Sequence, residues 1–116
     1  METLEAIRTR KTVRAYLDKP VEEEKIETIV EAGNMAAGTP TVGKRIFVVI
    51  NNKELIDRIG EKAKEMMRNS PIERARQVGN NPKYHPTFNA PVLIYVCVDA
   101  SKKGMMASIA DQNAAV

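Results

Sequence analysis

Two short apolar runs constrain the fold more than any other feature of this chain. They cover residues 46–50 (Ile-Phe-Val-Val-Ile) and 91–98 (Pro-Val-Leu-Ile-Tyr-Val-Cys-Val), and both are too short for a helix and rich in β-branched residues. Strands that are apolar on both faces need helices on both sides of their sheet, and two strands alone do not make a stable sheet. The runs therefore predict two buried strands of a larger sheet, completed by residues beyond these 116 or by a second copy of the chain.

Helical patterns fill the segments around these strands. Apolar spacing at i, i+3, i+4 and i+7 predicts buried stripes on two of the helices, namely Ile26, Ile29, Val30 and Gly33 on one and Ile56, Ile59, Ala63, Met66 and Met67 on the other. Charge and capping residues set the expected helix ends. They predict a first helix over about 3–14, a second that begins at 22–24 and a third that is capped by Asn52. The fourth helix is expected to have Ser70 at its N-cap, Pro71 and Glu73 at its first and third positions, and Gly79 at its end. A last helix is expected from about Met105.

Composition excludes several classes of protein. A chain of 116 residues and 12.9 kDa fits one small domain. The net charge of +3 is too small, and the aromatic content of 4% too low, to indicate a nucleic-acid partner. No run of 18 apolar residues predicts a membrane span. The single cysteine, Cys97, is expected to be a buried apolar residue in a reducing, cytoplasmic protein, and the single histidine, His85, favours a loop position over a metal site.

A cluster of cations at residues 8–14 (Arg-Thr-Arg-Lys-Thr-Val-Arg) is the strongest candidate for a binding function. Arg10 and Arg14 are four residues apart, so a helical turn would direct both guanidinium groups the same way. Planar guanidinium groups with hydroxyls between them suit a phosphate. The alternative is a helix end whose charges are simply solvated, and the cluster alone leaves both interpretations open.

Residues 38–45 (Gly-Thr-Pro-Thr-Val-Gly-Lys-Arg) come close to the phosphate-binding pattern G-x-x-x-x-G-K-[ST]. Arg45 replaces the hydroxyl that would bind Mg²⁺, and the segment follows a helix and opens a strand, the reverse of the order in a P-loop. We interpret the match as chance.

Five segments of the chain stand out together, at residues 7–16, 31–36, 47–50, 84–91 and 111–116. The first is rich in arginine, and the fourth is an aromatic stretch followed by Ala-Pro before a strand. In this order, the five segments resemble the amino-terminal part of the FMN-dependent nitroreductase family.

The resemblance implies an α+β fold of the nitroreductase type, a three-layer sandwich with a central sheet flanked by helices and incomplete in this chain. It implies a single nitroreductase-like domain over 1–116 that ends within a helix. It further implies a homodimer that binds FMN, takes electrons from NAD(P)H and passes them to a nitro compound, a quinone or a related small molecule, without a nucleic-acid or membrane partner.

Carried over by position, the resemblance assigns the flavin phosphate to Arg10 and Arg14, with Lys11 and Thr12 adding donors. Gly38 and Thr41 are expected to approach the flavin, and no catalytic residue is identified. The family commonly has an Asn-x-Gln-Pro-Trp run before the strand, where this chain reads Thr41-Val42-Gly43-Lys44-Arg45. The alternative is therefore a non-catalytic fragment or interaction module that does not bind flavin.

Overall fold

The computed structural model describes residues 2–36 and 45–98, so the predicted helix from Met105 lies outside the described residues. Within them, helices and strands follow the predicted order. The elements are α1 (Thr3–Thr9), α2 (Glu23–Met35), β1 (Ile46–Ile50), α3 (Lys53–Arg68), α4 (Glu73–Asn80) and β2 (Leu93–Cys97). None of these helices is both long and apolar enough to cross a lipid bilayer.

The two predicted strands form an antiparallel pair in which Val48 lies opposite Tyr95 and Ile46 lies opposite Cys97. Their positions are confirmed, but the expectation that they are buried is wrong for the described part of the chain. Ile46 is 62% exposed, and Cys97 is exposed rather than buried. The reason is that each strand has a single partner among the described residues, so much of the sheet surface stays uncovered.

Helix α1 is shorter than predicted and ends at Thr9. The Thr9 hydroxyl donates to the Glu5 carbonyl at 2.7 Å, and Arg10 leaves the helix with φ −58° and ψ 129°. Thr12 and Val13 are β-branched and favour helix weakly, and α1 buries no residue that would offset this. The expectation that one helical turn aligns Arg10 with Arg14 is therefore wrong.

Helix α2 begins at Glu23, as predicted, with Glu22 at its N-cap. Lys25 pairs with Glu22 at 2.8 Å, and its hydrogen bond lowers the pKa of the Glu22 carboxyl. Ile26 is buried and lines a groove against β1 together with Val30. Ile29 was expected in the same stripe but is 57% exposed, since it lies on the side of Ile26 away from this groove.

Helix α3 begins as predicted, because the Asn52 side chain accepts a hydrogen bond from the Leu55 N–H at 3.0 Å. Its buried face consists of Ile56, Gly60 and Lys64, spaced four residues apart. Met66, expected in the stripe, is instead 69% exposed, because its position on the helix falls well to one side of this face.

Helix α4 differs from the prediction at both ends. Its N-cap is Ile72 rather than Ser70, although the Ser70 hydroxyl accepts from the Ile72 N–H at 3.2 Å. Gly79 lies inside the helix, which ends at Asn80. It is buried against α3, and a Cβ at this position would lie 2.8 Å from the Arg68 backbone nitrogen. Gly79 is thus a packing residue that lets two helices approach closely.

We expect Gly79→Ala to lower the free energy of unfolding by about 1–3 kcal/mol, because the added methyl has no room against the α3 backbone. The sign of this change distinguishes the two cases, because a glycine-to-alanine substitution inside an unobstructed helix raises the free energy of unfolding by up to about 1 kcal/mol. Urea denaturation measures the change. Asn80→Ala, at the exposed neighbouring position, is the control and should stay within about 0.5 kcal/mol of wild type. A stabilised Gly79→Ala would contradict the packing role.

Candidate functional site

The predicted phosphate-binding residues lie in the irregular segment that follows α1. Arg10 is the C-cap of α1, and Lys11, Thr12 and Arg14 follow without regular secondary structure. All four are exposed. Within the described residues, no ion pair or hydrogen bond occupies their side chains.

The positive charge of this segment is not balanced by acidic residues nearby in the sequence. No acidic residue lies between Glu5 and Asp18, while Arg8, Arg10, Lys11 and Arg14 are all cationic. Guanidinium and ammonium groups that have no carboxylate partner keep their full donor capacity for an anion. The residue types and their exposure therefore fit a phosphate group.

Two further predicted cofactor residues, Gly38 and Thr41, lie outside the described residues. The described chain resumes at Arg45, whose guanidinium turns back to the end of α2. Its Nη1 donates to the carbonyls of Ala36 at 2.8 Å, Gly33 at 3.2 Å and Asn34 at 3.4 Å. We did not predict this role. The signal in the sequence is that α2 has no basic residue in its last turn, which leaves the carbonyls there open to a donor from another part of the chain.

His85 lies in the loop between α4 and β2, which confirms its expected loop position. Its Nδ1 accepts from the Thr87 N–H at 3.3 Å and lies 2.8 Å from the Thr87 hydroxyl. An Nδ1 that accepts leaves the proton on Nε2 of the neutral ring, and Nε2 faces the Asp57 carboxylate at 3.9 Å. The ring rests on Gly60 of α3, where a Cβ would lie 2.8 Å from Nε2.

A tight turn follows His85 and leads towards β2. Phe88 and Asn89 have φ of 51° and 56°, and the Ala90 N–H donates to the Thr87 carbonyl at 3.0 Å. Asparagine tolerates this left-handed region, whereas an aromatic residue there is unusual. An edge-to-face contact with Tyr84, at a ring separation of 5.9 Å, holds Phe88 in place. The loop is therefore fixed to α3 by His85 and to itself by the aromatic pair.

No other arrangement in the described residues indicates a cofactor site as clearly. Residues 2–36 and 45–98 contain no group of three His, Cys, Asp or Glu side chains that could hold a metal ion. A cavity of about 200 Å³ lies between residues 18–21, the start of α3 and residues 89–92. Asp18 lines it together with Lys19 and Lys53, so its charges do not select one kind of ligand.

The fold is that of flavoproteins with solved structures. It matches the crystal structure of a nitroreductase with bound FMN from Bacteroides fragilis NCTC 9343, with a TM-score of 0.88 and 25% identity over 100% of this chain and 60% of that one. A BluB-like flavoprotein from Clostridium difficile 630 shares the fold, with a TM-score of 0.70 and 20% identity over 99% of this chain and 66% of that one. The expected α+β fold of the nitroreductase type is confirmed.

The model of the nitroreductase family matches residues 7–116, and the chain belongs to this family. A relative from Methanothermobacter thermautotrophicus, named "Putative NADH dehydrogenase/NAD(P)H nitroreductase", is 32% identical over 97% of this chain. The chain spans about half (53%) of that relative's length. The resemblance inferred from five sequence segments is thereby confirmed.

We expect Gly60→Ala to be destabilising by about 1–3 kcal/mol, because its methyl displaces the His85 ring from α3. Removing the ring should remove the conflict, so Gly60→Ala should cost far less in a His85→Ala background. Thermal or urea unfolding of the two single variants and the double variant gives the coupling energy, expected to be about 1 kcal/mol or more. Additive effects would show that Gly60 and His85 do not pack as described.

Proposed function

We propose that this chain provides the phosphate-binding part of an FMN-dependent oxidoreductase. The observation that carries the proposal is the exposed cation cluster at residues 8–14, which spans the end of α1 and has no acidic residue within it. Family membership and the FMN bound to a structural neighbour support a flavin as the ligand. The electron donor is proposed to be NAD(P)H, in line with the name of the Methanothermobacter relative, and the acceptor a nitro compound, a quinone or a related small molecule.

Arg10 and Arg14 are assigned to the flavin phosphate, with Lys11 and Thr12 as additional donors. Arg10 leaves α1 with φ −58° and ψ 129°, and residues 11–14 have no regular secondary structure. In this proposal the irregular backbone, rather than the helical turn expected from the sequence, brings Arg10, Thr12 and Arg14 to a single phosphate. Gly38 and Thr41 are proposed to lie near the rest of the cofactor.

The flavin, when bound, supplies the hydride and electron-transfer chemistry. The chain's contribution is to bind and orient it. Charge-assisted bonds from guanidinium groups hold a dianionic phosphate in a defined orientation, whereas an ammonium group acts as a point charge. Anchoring the phosphate end in this way fixes the position of the cofactor without placing a charged side chain at the reacting ring.

The homodimer and the cytoplasmic location are part of the same proposal. The segment from α1 to residue 17 exposes five large apolar side chains, and we propose that together they form an apolar surface that a second subunit covers. They are Leu4, Ile7, Val13, Tyr16 and Leu17. A single cysteine fits a reducing compartment.

The competing function is a module that does not bind flavin, and the changed residues 41–45 favour it. An absorbance spectrum separates the two. A chain that is yellow, or becomes so with added FMN, supports the oxidoreductase, and a colourless chain that takes up no FMN supports the module.

We expect Arg10→Ala and Arg14→Ala each to weaken FMN binding about tenfold or more, because each removes a charge-assisted hydrogen bond to phosphate. Fluorescence titration of FMN measures the dissociation constant. Arg74→Ala, which removes the same charge from exposed α4, is the control and should bind FMN like wild type. If all three variants bind FMN equally weakly, the cluster attracts FMN only through its general positive charge. If none of them binds FMN more weakly than wild type, the assignment of Arg10 and Arg14 to the phosphate is rejected.

We expect Ile7→Asp to shift the chain from dimer to monomer, because a carboxylate cannot be buried unpaired in an apolar contact. Ile7 is 67% exposed in the single chain, so the substitution should not disturb the fold of one subunit. Light scattering after size-exclusion chromatography measures the mass. Ile72→Asp, at a position that is 64% exposed, is the matched control and should remain dimeric. A dimeric Ile7→Asp would place the interface elsewhere.

A further inference from the structure

Helix α3 carries a line of apolar side chains that is separate from its buried face. Positions 55, 59, 62 and 66 follow one another at spacings of four, three and four residues, which places them on one side of the helix. Leu55, Ile59 and Met66 are apolar, and Lys62 is the exception. Leu55 is 41% exposed and Met66 is 69% exposed, while Ile59 lines an open groove together with Leu55 and Lys62. We call these four positions the outer stripe of α3, and their spacing is that of a seam along which two helices pair.

Two opposite charges flank the outer stripe on one side. Arg58 and Glu65 lie seven residues apart, which is close to two helical turns, so both lie on the same side of the stripe. The Glu65 carboxylate accepts a hydrogen bond from Lys62 at 2.7 Å, and this bond lowers the pKa of the carboxyl. Within the described part of the chain, the Arg58 side chain forms no ion pair or hydrogen bond. The stripe therefore has an unpaired cation towards one end and a carboxylate towards the other.

A second copy of α3 matches the outer stripe when the two helices run antiparallel. A two-fold axis between positions 60 and 61 places Leu55 opposite Met66 and Ile59 opposite Lys62, because the members of each pair lie equally far from that axis. The alkyl part of Lys62 then packs on an isoleucine while its ammonium group stays in water. The one polar residue of the stripe is thus compatible with an apolar contact.

The flanking charges distinguish antiparallel from parallel pairing. In a parallel pair, each residue lies beside its own copy, so the two Arg58 side chains repel each other and the two Glu65 side chains do the same. In the antiparallel pair, Arg58 of each copy lies near Glu65 of the other, which gives two ion pairs. The face is therefore complementary to itself, and this charge pattern identifies a second copy of the chain as its partner.

We propose that the outer stripe of α3 is a self-association surface on which a second copy of this chain docks antiparallel. α3 has 16 residues and is therefore about 24 Å long. A single helix pair of this length buries less than the roughly 1,600 Å² of a standard interface, so the contact is weak and forms at high protein concentration. It uses none of the residues assigned to the cofactor, and it is distinct from the apolar surface of residues 4–17 proposed above for the homodimer.

Sedimentation velocity of the full chain over a range of concentrations tests this surface. The average mass of the wild type is expected to rise at the highest concentrations. Arg58→Glu should raise the dissociation constant of this association about tenfold or more, because two attractive pairs become repulsive. The double variant Arg58→Glu/Glu65→Arg restores opposite charges across the contact and should associate like wild type. Arg74→Glu makes the same charge change on exposed α4 and is the matched control, which should also associate like wild type.

Disulfide trapping tests the orientation of the two helices. The exposed Cys97 is first removed by Cys97→Ser. In this background, Leu55→Cys mixed with Met66→Cys should form cross-linked dimers on mild oxidation, because the two positions lie opposite each other in the antiparallel pair. Leu55→Cys alone should form few. Preferential cross-linking of Leu55→Cys with itself would show parallel pairing and contradict the proposal.

Two results of the sedimentation experiment would overturn the proposal. A mass that does not change with concentration, or that changes equally in wild type and Arg58→Glu, shows that the outer stripe does not bind a second copy. A double variant that associates as weakly as Arg58→Glu shows that Arg58 and Glu65 do not pair. If thermal unfolding shows that Arg58→Glu does not fold, Glu65→Arg makes the same test through repulsion between arginines. FMN binding should be unchanged in all of these variants, so a failure here leaves the proposed function in place.

Discussion

Helix ends satisfied by cations from other elements hold the described part of this chain together. α2 and α4 have no basic residue in their last turns, and each receives donors from outside. Arg45 serves α2, while Arg68 and Lys64 of α3 donate to the carbonyls of Gly79 and Asn81 at the end of α4. Each bond both satisfies orphan carbonyls and fixes one element against another. This matters here because Ile26 and Ile56 are the only apolar side chains that are buried in the described residues.

The same small core explains why glycine and lysine occupy the contact between α3 and α4. Gly79 brings the two helices so close that a Cβ would lie 3.1 Å from the Lys64 carbonyl. Lys64 itself is only 6% exposed. Burying its amine without a partner would be costly, and the amine has a partner because it donates to the Asn81 carbonyl at 3.2 Å. Close packing and polar satisfaction are therefore achieved by the same residues.

The sequence predicted local structure well where a residue and its immediate neighbours determine it. It predicted structure poorly where contacts with distant parts of the chain determine it. The Asn52 cap and both strands are where the pattern placed them, because capping and β-branching act within a few residues. The end of α1 was predicted too late, since no buried contact supports helix beyond Thr9. The exposure of Cys97 and the role of Gly79 depend on which elements lie opposite. The periodicity of a sequence does not tell which elements pack against each other.

The cation cluster was recognised from its composition, but its geometry was not predicted correctly. Residues four positions apart lie on the same side only if the backbone between them is helical, and the sequence did not settle that.

Arg45 changes how the departure from the family pattern is interpreted. On sequence alone, the replacement of an amide, a proline and a tryptophan at residues 41–45 is a loss of flavin contacts and an argument for a module without cofactor. In the structure, the residue at the end of that run makes three hydrogen bonds to the end of α2. A side chain that satisfies a helix terminus in this way contributes to the scaffold, whatever it contacts in addition. The altered run is therefore not simply a degraded motif.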